Sequence, residues 1–194
     1  ARDFALGSAG AGTGCTTATF KGGLGSASAR LSNGATVGAL VAVNALGSAT
    51  MGEGPHFWAA PFERNGEFGG LGAPELTPDI ATIRVKTPQK RALTAAENTT
   101  IGVIATNATL STGQAKRLAI SAHDGYARAV WPCHTPMDGD VVFALSSEEL
   151  PAPDLLILNA LAASTTARAI AIAIYATVPR KDDTLPSWQA KFGA

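Results

Sequence analysis

The sequence has no charge imbalance. Lysine plus arginine and aspartate plus glutamate number 15 each in 194 residues, so the formal net charge is zero. That balance advertises no attraction to nucleic acid or to a membrane surface. Cysteine is scarce, with Cys15 and Cys133 the only two. Two are too few for a disulfide framework, and reduced thiols in a cytoplasm are the simpler expectation. No signal peptide is recognisable, and the apolar run near 167–176 is too short and too alanine-rich for a membrane span. No internal repeat is evident. The chain opens at Ala1 without methionine, which reads as a processed or truncated start. What remains is 46% hydrophobic and 15% charged, a composition that suits one compact soluble domain over 1–194 with a substantial core.

Strand-like text fills 16–20, 25–31 and 36–43, with Ser32-Asn33-Gly34 as a hairpin turn and Asn44 ending the last strand. Residues 45–78 are loop-rich and gather Phe57, Trp58, Phe62 and Phe68, either as a pocket wall or subunit contact or as a long loop anchoring itself. A short strand is expected over 81–85. The segment 86–97 is polar and charged, with no strand or core pattern, and a β-branched buried strand follows it at 99–107. An amphipathic helix, capped by Ser111 or Thr112, carries Ala115, Leu118, Ala119, Ala122, Tyr126 and Ala129 at helical spacing. His123 and Asp124 lie on it, His123 most simply as a histidine satisfied by the helix. A tight loop over 132–140 leads into a strand at 141–146, and 154–177 is a long, buried, alanine-rich helix before a charged tail ending at Ala194.

Several of these stretches bear on chemistry. Gly12 and Gly14 flank Thr13 as in a phosphate loop, but no Lys-Ser/Thr pair follows, so the run reads as backbone packed closely on backbone. Lys21, alone in Phe-Lys-Gly-Gly, points into a site or simply into water. Cys133, His134, Asp138 and Asp140 match no zinc spacing, and Asp138-Gly-Asp140 lacks the further ligands of an EF-hand, so no metal is expected. The stretch Glu97-Asn-Thr-Thr-Ile101 is different. A flexible linker feeding Asn-Thr at the start of a buried strand suits a self-cleaving precursor. The Thr99 hydroxyl can attack the carbonyl of Asn98, turning the amide into an ester that water then opens. The freed α-amine, with an ordinary pKa of about 7.7 to 8.0, lies beside its own hydroxyl as a base.

Six stretches together resemble one family. They are Gly10-Ala-Gly-Thr-Gly14, Lys21-Gly-Gly-Leu-Gly-Ser-Ala-Ser28, Val37-Gly-Ala-Leu-Val-Ala-Val-Asn44, Asn98-Thr-Thr-Ile-Gly-Val103, Ala122-His-Asp-Gly-Tyr-Ala-Arg128 and His134-Thr-Pro-Met-Asp-Gly-Asp140. In order and variety they resemble the L-aminopeptidase/D-esterase family of self-processing peptidases, which includes β-peptidyl aminopeptidases and the nylon-oligomer (6-aminohexanoate oligomer) hydrolases. The resemblance implies an α+β fold, a four-layer αββα sandwich of the N-terminal-nucleophile type. It implies cleavage between Asn98 and Thr99, leaving 1–98 as the end of an α subunit and 99–194 as the β subunit. It maps the nucleophile onto Thr99, the active-site lysine of the nylon-oligomer hydrolases onto Lys21, an oxyanion donor onto Asn44, and two polar positions beside the nucleophile onto Asp138 and Asp140. Thr99 and the Asp-Gly-Asp loop lean toward the nylon-oligomer branch.

The implied substrates are short peptides, amino-acid amides or linear aminohexanoate oligomers, with no cofactor and no metal. The implied partners are the chain's own cleaved subunit and further copies, as a tetramer or larger, without nucleic acid or membrane. Family precursors carry a long segment ahead of the Gly-rich run, and some use a tyrosine from it near the oxyanion; no such tyrosine is placed here. Two other readings remain at this point: an acyltransferase like the ornithine acetyltransferases, which also self-cleave before a threonine, and a catalytically silent assembly protein of the same fold.

Overall fold

The fold is built on one sheet whose strands follow chain order. The computed structural model describes residues 3–75, 79, 81–86 and 98–193. Strand β1 (Gly23–Arg30) and β2 (Thr36–Val43) form an antiparallel hairpin. In its turn the Asn33 side chain accepts from Ala35 N–H at 3.1 Å, as an Asx turn does. Strand β3 (Ile101–Ala108) adds antiparallel to β2, and β4 (Val141–Leu150) adds parallel to β3. A parallel pair needs a crossover, and helix α1 (Thr112–Ala129) supplies it. Ser111 caps that helix: its hydroxyl accepts from Gln114 N–H at 3.3 Å, while the Gln114 side chain accepts from Ser111 N–H at 2.8 Å.

Helix α2 (Leu155–Tyr175) starts at the Asp154 cap and lies across β1 and β2 beside α1. Its 21 residues have a mean hydropathy of 1.6, enough by length and composition to cross a membrane, yet 61% of its apolar window is buried inside the protein. Alternation in the strands explains that burial. Ala27, Ala29, Val37, Ala39, Val41 and Ile104 point to one face and meet Ala162, Ile170 and Ile174 there. Small residues on both sides bring the helix close.

Among the described residues, the opposite face of the sheet is apolar and exposed. Leu40, Ile101, Phe143 and Leu145 are 37%, 47%, 57% and 59% exposed. The α+β expectation holds. Of the four layers the resemblance implies, the described residues form one helical layer on one sheet, because all four of their strands join a single sheet.

A last short helix, α3 (Trp188–Phe192), closes the core. Trp188 stacks on Phe57 at 5.8 Å, Phe57 meets Phe68 edge-on at 5.4 Å, and Trp188 Nε1 donates to the Pro55 carbonyl at 3.0 Å. Phe57 and Phe68 therefore anchor the long loop. Residues 16–20, expected as a strand, form a turn instead: Thr17 Oγ1 donates to the Phe20 carbonyl at 2.9 Å, and only the Thr16–Lys21 bridge is strand-like. Residues 81–85 form no strand. The glycine run folds as a 3₁₀ turn (Gly10–Gly12) against β1, where a Cβ on Gly12 would lie 2.2 Å from Leu24 N, as the close-packing reading requires. Apart from Lys86, the expected linker 86–97 lies outside the described residues.

Candidate active site

The sheet register carries the Asn98–Thr99 bond into a gap between two loops. The β2–β3 ladder ends at Ala42 opposite Ile101, and continuing it by two residues sets Asn44 against Thr99. The β3–β4 ladder begins at Ile101 opposite Val141, and continuing it backward sets Thr99 against Gly139. Thr99 is half-buried between Asn98 and Thr100, both fully buried. The junction is thus held on both sides while its hydroxyl-bearing residue keeps some access to solvent.

The 138–140 loop grips the backbone of the junction. Gly139 N–H donates to the Asn98 carbonyl at 2.9 Å, Asp140 Oδ1 accepts from Thr100 N–H at 3.0 Å, and Val141 N–H donates to the Thr100 carbonyl at 3.1 Å. Asp138 ties the same loop inward, with Oδ2 accepting from Thr135 N–H at 2.8 Å and Oδ1 from Leu46 N–H at 3.4 Å. The carbonyl that Thr99 would attack already faces a backbone donor. Such a donor stabilises negative charge on the oxygen more than it stabilises the neutral carbonyl.

Behind the loop stands a chain of polar groups. The other oxygen of Asp140 lies 3.0 Å from His134 Nδ1, and His134 Nε2 lies 3.3 Å from His123 Nδ1. Tyr126 stacks on His134 at 5.5 Å, and its hydroxyl is 3.3 Å from the carbonyls of both Thr100 and Val141. Gly102 makes that approach possible, because a Cβ there would sit 2.7 Å from the Tyr126 oxygen. Burial raises the Asp140 pKa, against the pull of the Thr100 N–H. Burial and then His134 push the His123 pKa down. The Tyr126 phenol is raised far above its usual range by burial, so it stays a donor. Burial pushes the Cys133 thiol up to about 11, which removes it as a nucleophile at neutral pH.

Two lysines are held by oxygen atoms in this region. Lys21 is buried at 5% exposure rather than pointing into water. Its ammonium lies 2.6 Å from the Asp183 carboxylate and 2.9 Å from the Val178 carbonyl, tying the residues just ahead of β1 to the segment after α2. Lys86 is the cation on Asn44, with Nζ 2.8 Å from Asn44 Oδ1 and 3.3 Å from the Asn44 carbonyl. Asn44 Oδ1 also accepts from Thr16 N–H at 3.1 Å.

Of the residues expected at the site, Asn98, Asp138 and Asp140 are linked through the 138–140 loop beside Thr99, Asn44 lies opposite Thr99 in the extended register, and the Lys21 ammonium is engaged by Asp183 and Val178. Sequence reasoning missed Lys86, the Gly139 N–H, and the pairing of His134 with His123 and Asp140. The one signal available was the His123–Tyr126 spacing of three residues, which puts both on one helix face. Lys86 and Gly139 act from loops, where no periodicity points to them.

The fold around this junction is shared with solved structures. A Burkholderia sp. beta-aminopeptidase has a TM-score of 0.64 and 25% identity, over 95% of this chain and 51% of that one. The PH0078 protein of Pyrococcus horikoshii has a TM-score of 0.61 and 27% identity, over 91% of this chain and 46% of that one. The L-aminopeptidase D-Ala-esterase/amidase of Ochrobactrum anthropi, described as a variant of the Ntn hydrolase fold, shares the fold at a TM-score of 0.59 and 24% identity, over 94% of this chain and 48% of that one.

A family model described as Peptidase family S58 matches residues 1–182, and the chain belongs to that family. An uncharacterized aminopeptidase of Mycobacterium tuberculosis is 43% identical over 151 residues, which are 78% of this chain and 43% of the relative. A 6-aminohexanoate-oligomer endohydrolase of Paenarthrobacter ureafaciens is 39% identical over 61 residues, which are 31% of this chain and 17% of the relative. The chain spans about half or less of the length of these relatives.

Proposed function

We propose that this chain is the catalytic part of a self-processing amide hydrolase whose nucleophile is Thr99. The observation that carries the reading is the Gly139 N–H on the Asn98 carbonyl, 2.9 Å away at the head of β3. In the first step Thr99 Oγ bonds to the Asn98 carbonyl carbon. The C–N bond breaks, the nitrogen takes the hydroxyl proton, and the amide becomes an ester. Water then cleaves the ester, leaving a carboxylate on Asn98 and a free amine on Thr99. The carbonyl oxygen carries negative charge during the attack, and the Gly139 N–H offsets it. Losing one such donor typically costs roughly 2.7 to 4 kcal/mol of barrier.

In the mature form the Thr99 amine takes the proton from its own hydroxyl, and Thr99 Oγ attacks a substrate amide. Asn44, opposite Thr99 in the extended register, donates to the substrate oxyanion. Asp138 and Asp140 hold the loop and supply the negative charge that a free amino terminus of a substrate would meet. The reading is supported by family membership, by relatives named as aminopeptidases, and by one named for 6-aminohexanoate oligomers. Short peptides, amino-acid amides and linear aminohexanoate oligomers are the substrates to assay.

Intact mass under denaturing conditions tests the first step. We expect two polypeptides meeting between Asn98 and Thr99, and one soluble, uncut, inactive chain for Thr99→Ala. Normal cleavage in Thr99→Ala would remove Thr99 as the nucleophile.

A further inference from the structure

Asn44 is held by its oxygen. Oδ1 receives Thr16 N–H at 3.1 Å and Lys86 Nζ at 2.8 Å, so the amide nitrogen is directed to the other side of the group. An asparagine amide can flip end for end, and the two ends have opposite hydrogen-bonding character. A flip here would set an NH₂ group against an ammonium and a backbone N–H, so two hydrogen bonds would be lost, one of them charge-assisted.

Lys86 is itself fixed. Its backbone N–H donates to the Leu46 carbonyl at 3.0 Å, and Leu46 N–H reaches Asp138 Oδ1 at 3.4 Å. Lys86, Asn44 and Leu46 thereby join the loop whose Gly139 N–H holds the Asn98 carbonyl.

We propose that Lys86 is the positioning residue for Asn44: its ammonium fixes which way the Asn44 amide donates at the Asn98–Thr99 junction. The proposal rests on the self-processing reading of that junction and adds a residue to it. Lys86 donates to the Asn44 oxygen and acts through Asn44. It is therefore distinct from Lys21, whose ammonium is held by Asp183 and the Val178 carbonyl.

The electrostatic surroundings give the idea a handle. Burial lowers the Lys86 pKa to about 8, against the opposing pull of the Cys15 thiol and the Asp138 carboxylate. The Cys15 thiol is raised above its ordinary value by burial. Above about pH 8 the ammonium loses its proton, the hydrogen bond to Asn44 loses its charge, and the amide is held less firmly.

The test combines two readouts on the full chain. The first follows the Asn44 side-chain amide by ¹⁵N NMR across roughly pH 6 to 9, in a Cys15→Ser background that removes the thiol. We expect a titration with its midpoint at or below about 8, because removing the thiol removes one of the groups that raise the Lys86 pKa, and we expect it to be abolished in Lys86→Met. The second measures the rate at which the Thr99-headed polypeptide forms. Misdirecting a donor of this kind should slow cleavage about tenfold or more in Lys86→Met, with partial recovery in Lys86→Arg. The double variant Lys86→Met/Asn44→Ala should be no slower than Asn44→Ala alone, because Lys86 acts only through Asn44.

A wild-type rate in Lys86→Met, or additive losses in the double variant, would overturn the proposal. The titration with Lys86 in place needs no Lys86 variant, so a misfolded Lys86→Met does not shield the idea: an Asn44 amide indifferent to pH over this range overturns it as well. A wild-type chain that is never cut would defeat the self-processing reading instead, and the Asn44 titration then decides the role of Lys86 by itself.

Discussion

Asp140 serves two masters with one carboxylate. One oxygen fixes the backbone of Thr100, one residue past the junction, and the other holds His134, which in turn meets His123. Burial makes this arrangement sensitive to protons. The folded His123 pKa lies below its unfolded value of about 6.5. Its contribution to stability is fully present above that value and is lost as pH falls through the folded pKa. Asp140 runs the other way: its folded pKa is raised, so its contribution is present below the unfolded value of about 3.9 and is lost as pH rises through the folded one. The groups facing His123 are His134, Asp140, Asp124 and the Tyr126 ring. Melting curves between roughly pH 7 and pH 5 should therefore show the wild-type chain losing stability relative to His123→Asn as the pH drops below about 6.5. Parallel curves would show that His123 is not the group responsible.

Helix α2 shows how an element and its environment select each other. Its middle is buried on every side, Ile170 at 0% exposure, while Leu156 near its start is 75% exposed. Ile170→Ala should lower unfolding stability by about 2–5 kcal/mol, through lost transfer energy and the cavity left behind. Leu156→Ala should change it by no more than about 0.5 kcal/mol. Urea denaturation separates the two. Elements whose pattern is local were legible in advance: the β1–β2 hairpin from Asn33-Gly34, α1 from Ser111 and the Leu118–Ala122–Tyr126 spacing, α2 from its apolar run. Strand β4 runs on to Leu150, four residues past the expected 146, because Ser147, Glu148 and Glu149 are polar yet still extend the sheet. Thr16–Phe20 misled because β-branched residues also suit a turn whose Thr17 hydroxyl bonds back to Phe20. At the site, the junction and its Asn44 and Asp140 neighbours followed from motif, whereas Lys86 and the His134–His123 pairing arise only from how loops meet in space.

At the scale of the molecule, the described residues cover one face of the sheet and leave the other exposed. Leu40, Ile101, Phe143 and Leu145 form an open apolar surface of the kind that binds hydrophobic dyes and promotes self-association. Phe143→Ser combined with Leu145→Thr should reduce anilinonaphthalene sulfonate fluorescence and shift gel filtration toward smaller species. Because both side chains are more than half exposed, unfolding stability should change by less than about 1 kcal/mol. Dye binding unchanged from wild type would locate the sticky surface elsewhere. The seam between β2 and β3, paired from Val37↔Thr106 to Ala42↔Ile101, has a consequence of another kind. A cut at residues 98 and 99 assigns β1 and β2 to one polypeptide and β3, α1, β4 and α2 to the other, so the middle of a hydrogen-bonded sheet becomes a boundary between two molecules. Unfolding of the cut protein remains first order, but refolding becomes second order, because each half must find its complement by diffusion. The uncut chain regains its fold at a rate independent of concentration; the cut one does so more slowly the more it is diluted, and a single hydrolysed bond makes a reversible fold into one that, once lost in dilute solution, is slow to return.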